Sequence, residues 1–190
     1  MIVITAPFLI DNEIQIIRQL FEEGLVLLHV RKPTYSESDK KEFVKAIGLE
    51  FLDKMVFHNF SLENFSCPNY HISDWQNVDC NLFQEKSIST ATHSIDEFNQ
   101  LSKEWKYAFL SPVFESISKV GYGKNSPILG TIVNRTNFNT ELVALGGLDK
   151  NNMKIALDSG FDSVALLGSI WLNDHPVQKF KQCQKIVHSY

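Results

Sequence analysis

The stretch ELVALGGLDKNNMKIALDSGFDSVALLGS, residues 141–169, holds a strand, a helix and a second strand in immediate succession. Glu141–Gly147 and Ser163–Ser169 are apolar runs without polar alternation, the pattern of strands covered on both faces. Between them, DKNNMKIALDSG predicts a helix that opens at a capping Asp149 and stops at Gly160. Gly146 and Gly147 close the first of the two strand runs. They serve either as a tight turn or as bare backbone beside a helix start. In the second case an anion can approach N–H groups that have no partner within the helix.

The same alternation extends outward to both ends of the chain. Further strand runs are MIVITAP (Met1–Pro7), LVLLHVR (Leu25–Arg31), MVFHN (Met55–Asn59), YHISD (Tyr70–Asp74), SISTATH (Ser87–His93) and YAFLSPVF (Tyr107–Phe114). Helix-period segments lie between most of them. DNEIQIIRQLFEEG starts at Asp11 or Asn12, puts Ile14, Ile17 and Phe21 on one face and ends at Gly24. SESDKKEFVKAIGLEFL and SIDEFNQLSKEW follow, the latter with Ser94 three residues before Glu97 in capping-box spacing. HPVQKFKQCQKIVHSY places Pro176 in a first turn. Eight strand candidates alternating with helices predict a (β/α)₈ barrel, with a doubly wound open sheet as the runner-up. At 190 residues the chain is short for such a barrel, typically about 250 residues, and reads as one domain, 1–190. Only FSLENFSCPN separates the third and fourth runs, so shortened helical connections are expected there.

A formal net charge of −4 argues against a broad grip on nucleic acid or an anionic membrane, and leaves room for a local anion site. No run approaches the roughly 20 apolar residues of a membrane span, and the N-terminus lacks the layout of a signal peptide. Cys67, Cys80 and Cys183 lack C-x-x-C spacing and read as reduced thiols, so a cytoplasmic location is expected.

Chemistry in such a barrel sits at the carboxyl ends of the strands. Those positions carry His29, Arg31 and Lys32; His58 and Asn59; His71 and Asp74; Thr92 and His93; Ser111, Ser116, Ser118 and Lys119; Gly146 and Gly147; Gly168 and Ser169. Cations, imidazoles, hydroxyls and glycines together suit a phosphate ester. The glycine ends after the seventh and eighth strands occupy the common phosphate site of these barrels. His93 follows a strand where a helix should begin, a position expected to lower its pKa and favour a neutral imidazole near pH 7. His58 and His71 could join Asp74 at a metal, but no strong ligand spacing supports a transition-metal site. Ser111–Gly130 is long and rich in Ser, Gly and Lys, which suits either a mobile active-site loop or a plain surface excursion.

The motif order resembles the thiamine phosphate synthase and TenI family of small (β/α)₈ barrels. LLHVRK is similar to the family's Q-L-R-x-K, placing Arg31 on its arginine. SISTATHS resembles G-x-S-x-H-S, placing His93 on its histidine. YAFLSPVFESISK resembles Y-x-x-x-G-P-x-F-x-T-x-T-K, mapping Pro112, Phe114, Ser116, Ser118 and Lys119. ELVALGGLDKNN and DSVALLGSIW look like P-V-V-A-I-G-G-I-x-x-x-N and D-G-V-A-V-x-S-A-I. The resemblance implies a synthase that joins a hydroxymethylpyrimidine diphosphate to a thiazole phosphate, with Mg²⁺ assisting pyrophosphate release. The alternatives are a TenI-type thiazole tautomerase that needs no cofactor, and a non-catalytic paralogue that binds thiazole or thiamine phosphates. It implies catalytic roles for His93, Lys119 and Arg31 and a phosphate cradle of Gly146, Gly147, Gly168 and Ser169. Substrate contacts are expected from His29, Asn59, Ser116 and Ser118. The partners are small molecules, with no nucleic acid or membrane, and a homodimer is allowed.

The departures fall on the metal side. The family's third-strand I-N-D reads FHNF here, leaving Asn59 or Phe60 at the acidic position. Its fourth-strand V-H-L-G-Q-x-D reads YHISDWQ, so the second acidic residue is Gln76 or is displaced to Asp74, the one candidate metal ligand. Mg²⁺ prefers anionic oxygen ligands, and without the family's pair of carboxylates a magnesium diphosphate is harder to hold. The fifth-strand serine is Ala91 and the eighth-strand serine is Gly168.

Overall fold

The computed structural model describes residues 1–58, 68–83, 86–117 and 121–190. Eight parallel strands close into a barrel in chain order: β1 (Ile2–Ile4), β2 (Leu27–Val30), β3 (Met55–His58), β4 (Asn69–His71), β5 (Ser87–Thr92), β6 (Trp105–Leu110), β7 (Glu141–Ala144) and β8 (Ser163–Leu166). The barrel prevails over the open sheet because β8 pairs back onto β1 through Ile2–Ala165 and Val3–Leu166. Each strand ends before its apolar run does, since the last residues of the runs turn into the loops at the barrel mouth.

The helices are α1 (Glu13–Glu22), α2 (Glu37–Ile47), α3 (Ile95–Asn99), α4 (Ile128–Thr131), α5 (Met153–Asp158), α6 (Gly168–Trp171) and α7 (Pro176–Val187). In α1, Ile17, Leu20 and Phe21 are buried against the barrel, while Asn12 at its start makes no side-chain cap. A full capping box between Ser36 and Asp39 starts α2, and Gly48 at φ +128° ends it before a 3₁₀ segment, Leu49–Lys54. The connections are short around most of the barrel. A 3₁₀ turn, Cys80–Phe83, lies between β4 and β5, and α3 and α4 are single turns or little more.

One expected helix start is corrected. Asp149 does not cap α5, which begins at Met153 with Asn152 in the cap position. The Asp149 carboxylate accepts from the Asn151 N–H instead (2.7 Å), and the Asn152 amide donates to the Gly147 carbonyl (2.8 Å). This turn of Asp149–Asn152 separates the two glycines from the helix.

Two apolar layers follow from the alternation of side chains along each strand. Outward residues such as Val3, Leu28, Val30, Phe57, Ala108, Leu142 and Val164 pack under the helices. Inward residues Ile2, Ile4, Phe109, Val143 and Ala165 fill one side of the bore. The other side is polar. His29, His58, His71, Ser89 and Tyr107 point into it, and the register sets His58 opposite His71, His71 opposite Ser89, and Ser89 opposite Tyr107.

Candidate active site

Two cavities share the carboxyl end of the barrel. The first, about 640 Å³, is walled by Phe8, Trp75 and Phe109, with His58, His71, Ser73, Gln76 and Glu97 around it. The second, about 320 Å³, is lined by Ser111, Ser116, Ile117, Tyr122, Gly146, Gly147 and Gly168. Both touch Arg31, His93, Leu145 and Leu167, so these four residues mark their junction. Each volume is in the range of small-molecule sites. Another depression, about 700 Å³, lies among Ser87, Trp105 and Glu141 at the amino ends of β5, β6 and β7, the face of such barrels that serves stability.

Arg31 is exposed and, among the described residues, is the one Lys or Arg lining either cavity. Its backbone is pinned by the buried Thr5, whose hydroxyl accepts from the Arg31 N–H (2.9 Å) and donates to the Arg31 carbonyl (3.1 Å). The next residue, Lys32, leaves the mouth altogether. Its ammonium is buried and donates to both Glu13 oxygens (2.8 and 2.6 Å) and to the Ala6 carbonyl (2.8 Å).

His93 stands between the cavities with its orientation fixed. Nδ1–H donates to the Ser111 carbonyl (2.9 Å), which turns Nε2 away from that contact and fixes the tautomer of the uncharged ring. The Ser94 hydroxyl accepts from the Glu97 N–H (3.1 Å), as the sequence spacing suggests, but the Glu97 carboxylate returns to the His93 N–H (2.7 Å) and not to Ser94. Glu97 therefore tethers the loop that carries His93, and it is the one carboxylate lining either cavity among the described residues.

The glycine pair has a steric cause. Gly146 and Gly147 have φ of +102° and +64°. A Cβ on Gly147 would clash with the Glu115 carbonyl oxygen, and one on Gly146 would lie 2.9 Å from the Pro112 Cα. The loop after β6 passes directly over this turn and is bonded to it, Val113 N–H to the Leu145 carbonyl (3.0 Å) and Phe114 N–H to the Gly146 carbonyl (3.1 Å). The chain's own backbone therefore uses the missing side chains, and the glycines by themselves carry no argument for an anion. Gly168 starts α6 at the edge of the same cavity. Ser169 is buried, is not among the cavity residues, and its hydroxyl has no hydrogen-bond partner among the described residues.

Of the expected site residues, the structure brings Arg31, His93, Ser116, Gly146, Gly147 and Gly168 to the second cavity. His29 lies beneath the first, fully buried. Asp74 is exposed, its two oxygens accept from the Asn77 amide (3.0 Å each), and it lines neither cavity although its neighbours Ser73 and Trp75 line the first. Asn59, Phe60, Cys67, Ser118 and Lys119 lie outside the described residues. Sequence reasoning passed over Phe8, Trp75, Tyr122 and Glu97. Phe8 and Trp75 had a readable signal, each being an aromatic residue just beyond a strand end.

Below the junction the three bore histidines touch. His29 Nδ1 lies 2.8 Å from His58 Nε2, and the His58 and His71 rings stack with centroids 4.2 Å apart. His29 Nε2 meets the Tyr107 hydroxyl and His71 Nδ1 meets the Ser89 hydroxyl (3.1 Å). Burial disfavours a charged imidazole at all three. It holds His29 and His58 well below the usual histidine range, helped by the neighbouring histidines, and takes His71 to about 3, helped by Arg31. The cluster is neutral at physiological pH.

The described residues do not fit a resident Mg²⁺. Glu97 is engaged by the His93 backbone, Asp74 faces Asn77, and the grouped donors at the mouth are imidazole nitrogens.

No protein-family model matches the chain. A thiamine-phosphate synthase of Koribacter versatilis is 28% identical over 109 residues, which span 55% of this chain and 49% of that protein. The match thus covers about half the length of the relative. Among solved structures, thiamine phosphate pyrophosphorylase from Bacteroides thetaiotaomicron superposes with a TM-score of 0.76 at 24% identity, covering 99% of this chain and 97% of that one. The thiamine phosphate pyrophosphorylase of Pyrococcus furiosus gives 0.79 at 17% identity, covering 99% and 95%. A 3-hexulose-6-phosphate synthase gives 0.70 at 12%, covering 98% and 100%. At these identities the superpositions establish the fold, a (β/α)₈ barrel. The chain is therefore similar in sequence to a thiamine-phosphate synthase and shares its whole fold with two thiamine phosphate pyrophosphorylases.

Proposed function

We propose that this protein is a thiamine phosphate synthase-like transferase that joins a thiazole phosphate to a hydroxymethylpyrimidine diphosphate and releases pyrophosphate. The observation that carries the reading is the pair of cavities meeting at Arg31 and His93. A two-substrate transferase needs two adjoining pockets with their reacting ends together. The smaller pocket, where Ser116 lies beside Gly146, Gly147 and Gly168, suits the thiazole phosphate in the family pattern. The larger one offers Phe8, Trp75 and Phe109 as flat apolar surfaces for a pyrimidine ring. Arg31 at the junction would neutralise charge growing on the leaving diphosphate as the C–O bond breaks. Lys119 would add a second cation in the family pattern. No step is assigned to Mg²⁺, for which the described donors are unsuited. The cytoplasm, where both small substrates would be met, is part of the same proposal.

A second reading has its own observation. With Nδ1–H held by the Ser111 carbonyl, His93 directs Nε2 away from that contact at the cavity junction, the geometry a proton shuttle requires in a thiazole tautomerase. The two are separated by giving the protein a thiazole carboxylate phosphate in D₂O. Proton exchange that disappears in His93→Ala would favour the tautomerase. Calorimetric binding of the thiazole phosphate without exchange keeps the transferase, and no binding at all removes both.

A further inference from the structure

The three bore histidines have a use that neither reaction requires. We propose that His29, His58 and His71 form a three-imidazole site for a divalent transition-metal ion beneath the larger cavity, with a coordination position open toward it. One ligand nitrogen from each residue lies within 4.8 Å of the other two. A tetrahedral ion bonded at about 2.0–2.1 Å to each nitrogen needs them roughly 3.3 Å apart. His29 Nδ1 and His58 Nε2 already lie 2.8 Å apart, so binding needs that pair to spread slightly and the His58 ring, stacked on His71, to turn its nitrogen toward the shared ion.

Two of the three remaining nitrogens are already occupied in the manner of metal-bound imidazoles. His29 Nε2 is engaged by the Tyr107 hydroxyl and His71 Nδ1 by the Ser89 hydroxyl, leaving His29 Nδ1 and His71 Nε2 for the ion beside His58 Nε2. Such outer contacts fix the ring and its tautomer for ligation. Tyr107 and Ser89 are themselves register partners on β6 and β5, so the barrel and not a loop sets these contacts.

Three protein nitrogens with a fourth position left open is the arrangement of a reactive zinc site, in contrast with a closed structural one. His58 and His71 line the larger cavity, so the open position would meet a ligand bound there. Imidazole donors suit Zn²⁺, Cu²⁺, Fe²⁺ or Ni²⁺ and not Mg²⁺, so this ion would be distinct from any magnesium accompanying a diphosphate. The proposal stands independently of the transferase reading, since it concerns binding alone.

Its test uses the full chain without a polyhistidine tag, stripped with chelator and dialysed against Zn²⁺ or Co²⁺. About one ion per chain should be retained, with the visible absorption of four-coordinate cobalt. His58→Gln and His71→Gln should each weaken retention at least tenfold, while the exposed His175→Gln and His188→Gln should not. Near-ultraviolet circular dichroism checks that each variant is folded. Two results would overturn the site: no retention by the wild type, or retention that survives both bore substitutions. Neither result bears on pyrophosphate release, so failure of the metal site and failure of the transferase reading are distinguishable.

Discussion

His29 Nδ1 and His58 Nε2 face each other at 2.8 Å inside the barrel, two strands' side chains sharing one proton between uncharged rings. Such a pair tolerates one N–H and one lone pair but not two positive charges. Stability should therefore depend on pH in a definite direction. The three histidines titrate below their ordinary value of 6.5 in the fold, His71 at about 3, whereas the unfolded chain binds protons near 6.5. The unfolded state then holds more protons between these values, so stability is full above pH 6.5 and falls as pH drops toward 3. Between about pH 7.5 and pH 5 the expected loss is roughly 2 kcal/mol for each histidine that stays neutral. Urea denaturation across that range checks it, and a flat midpoint would contradict a neutral cluster.

Gly147→Ala should destabilise by about 2–4 kcal/mol, from its left-handed backbone and the clash with the Glu115 carbonyl. Gly130→Ala, where an added Cβ meets nothing within 4 Å, should stay within about 0.5 kcal/mol of wild type. Denaturant midpoints for the two variants make the comparison. Equal midpoints would mean that the close passage of the two loops is not retained in solution.

The Lys32–Glu13 pair offers a further contrast. Glu13→Ala strands a buried ammonium and should cost about 3–5 kcal/mol, whereas the double variant Glu13→Leu/Lys32→Met should recover most of that loss. Thermal unfolding of wild type and both variants measures the difference.

Most of the barrel was legible in the sequence, because parallel strands covered on both faces write themselves as unbroken apolar runs. Each of the eight runs overlaps one strand, with β4 and β6 starting one and two residues before theirs. Helix starts were less legible where polar residues had a choice of partner. Asp149 and Asn152 both suit a cap, and the bond from Asn152 to the Gly147 carbonyl decides for the later start. The glycine pair was visible but its reason was not, since the loop that needs the space lies some thirty residues earlier in the chain. The histidine cluster was half read. The sequence groups His58 and His71 with Asp74, but the third partner is His29, brought in by barrel register and not by spacing. The usable signal was that all three fall on inward positions of neighbouring strands. Lys32 shows the converse, a cation at a strand end that turns outward to a glutamate on α1.

Arg31→Ala should leave stability within about 0.5 kcal/mol of wild type, because the side chain is exposed and the Thr5 bonds involve only its backbone. Its effect should fall on turnover, at least about 100-fold in kcat/KM if the guanidinium stabilises the leaving diphosphate. Steady-state kinetics beside a denaturation curve separates the two effects.

The transferase reading is tested most directly by pyrophosphate release from the full chain given a thiazole phosphate, hydroxymethylpyrimidine diphosphate and Mg²⁺ together. Release that requires both organic substrates, with a product carrying both rings by mass, is the expected result. Absence of pyrophosphate under conditions where a known synthase is active, with the thiazole phosphate demonstrably bound, would contradict it.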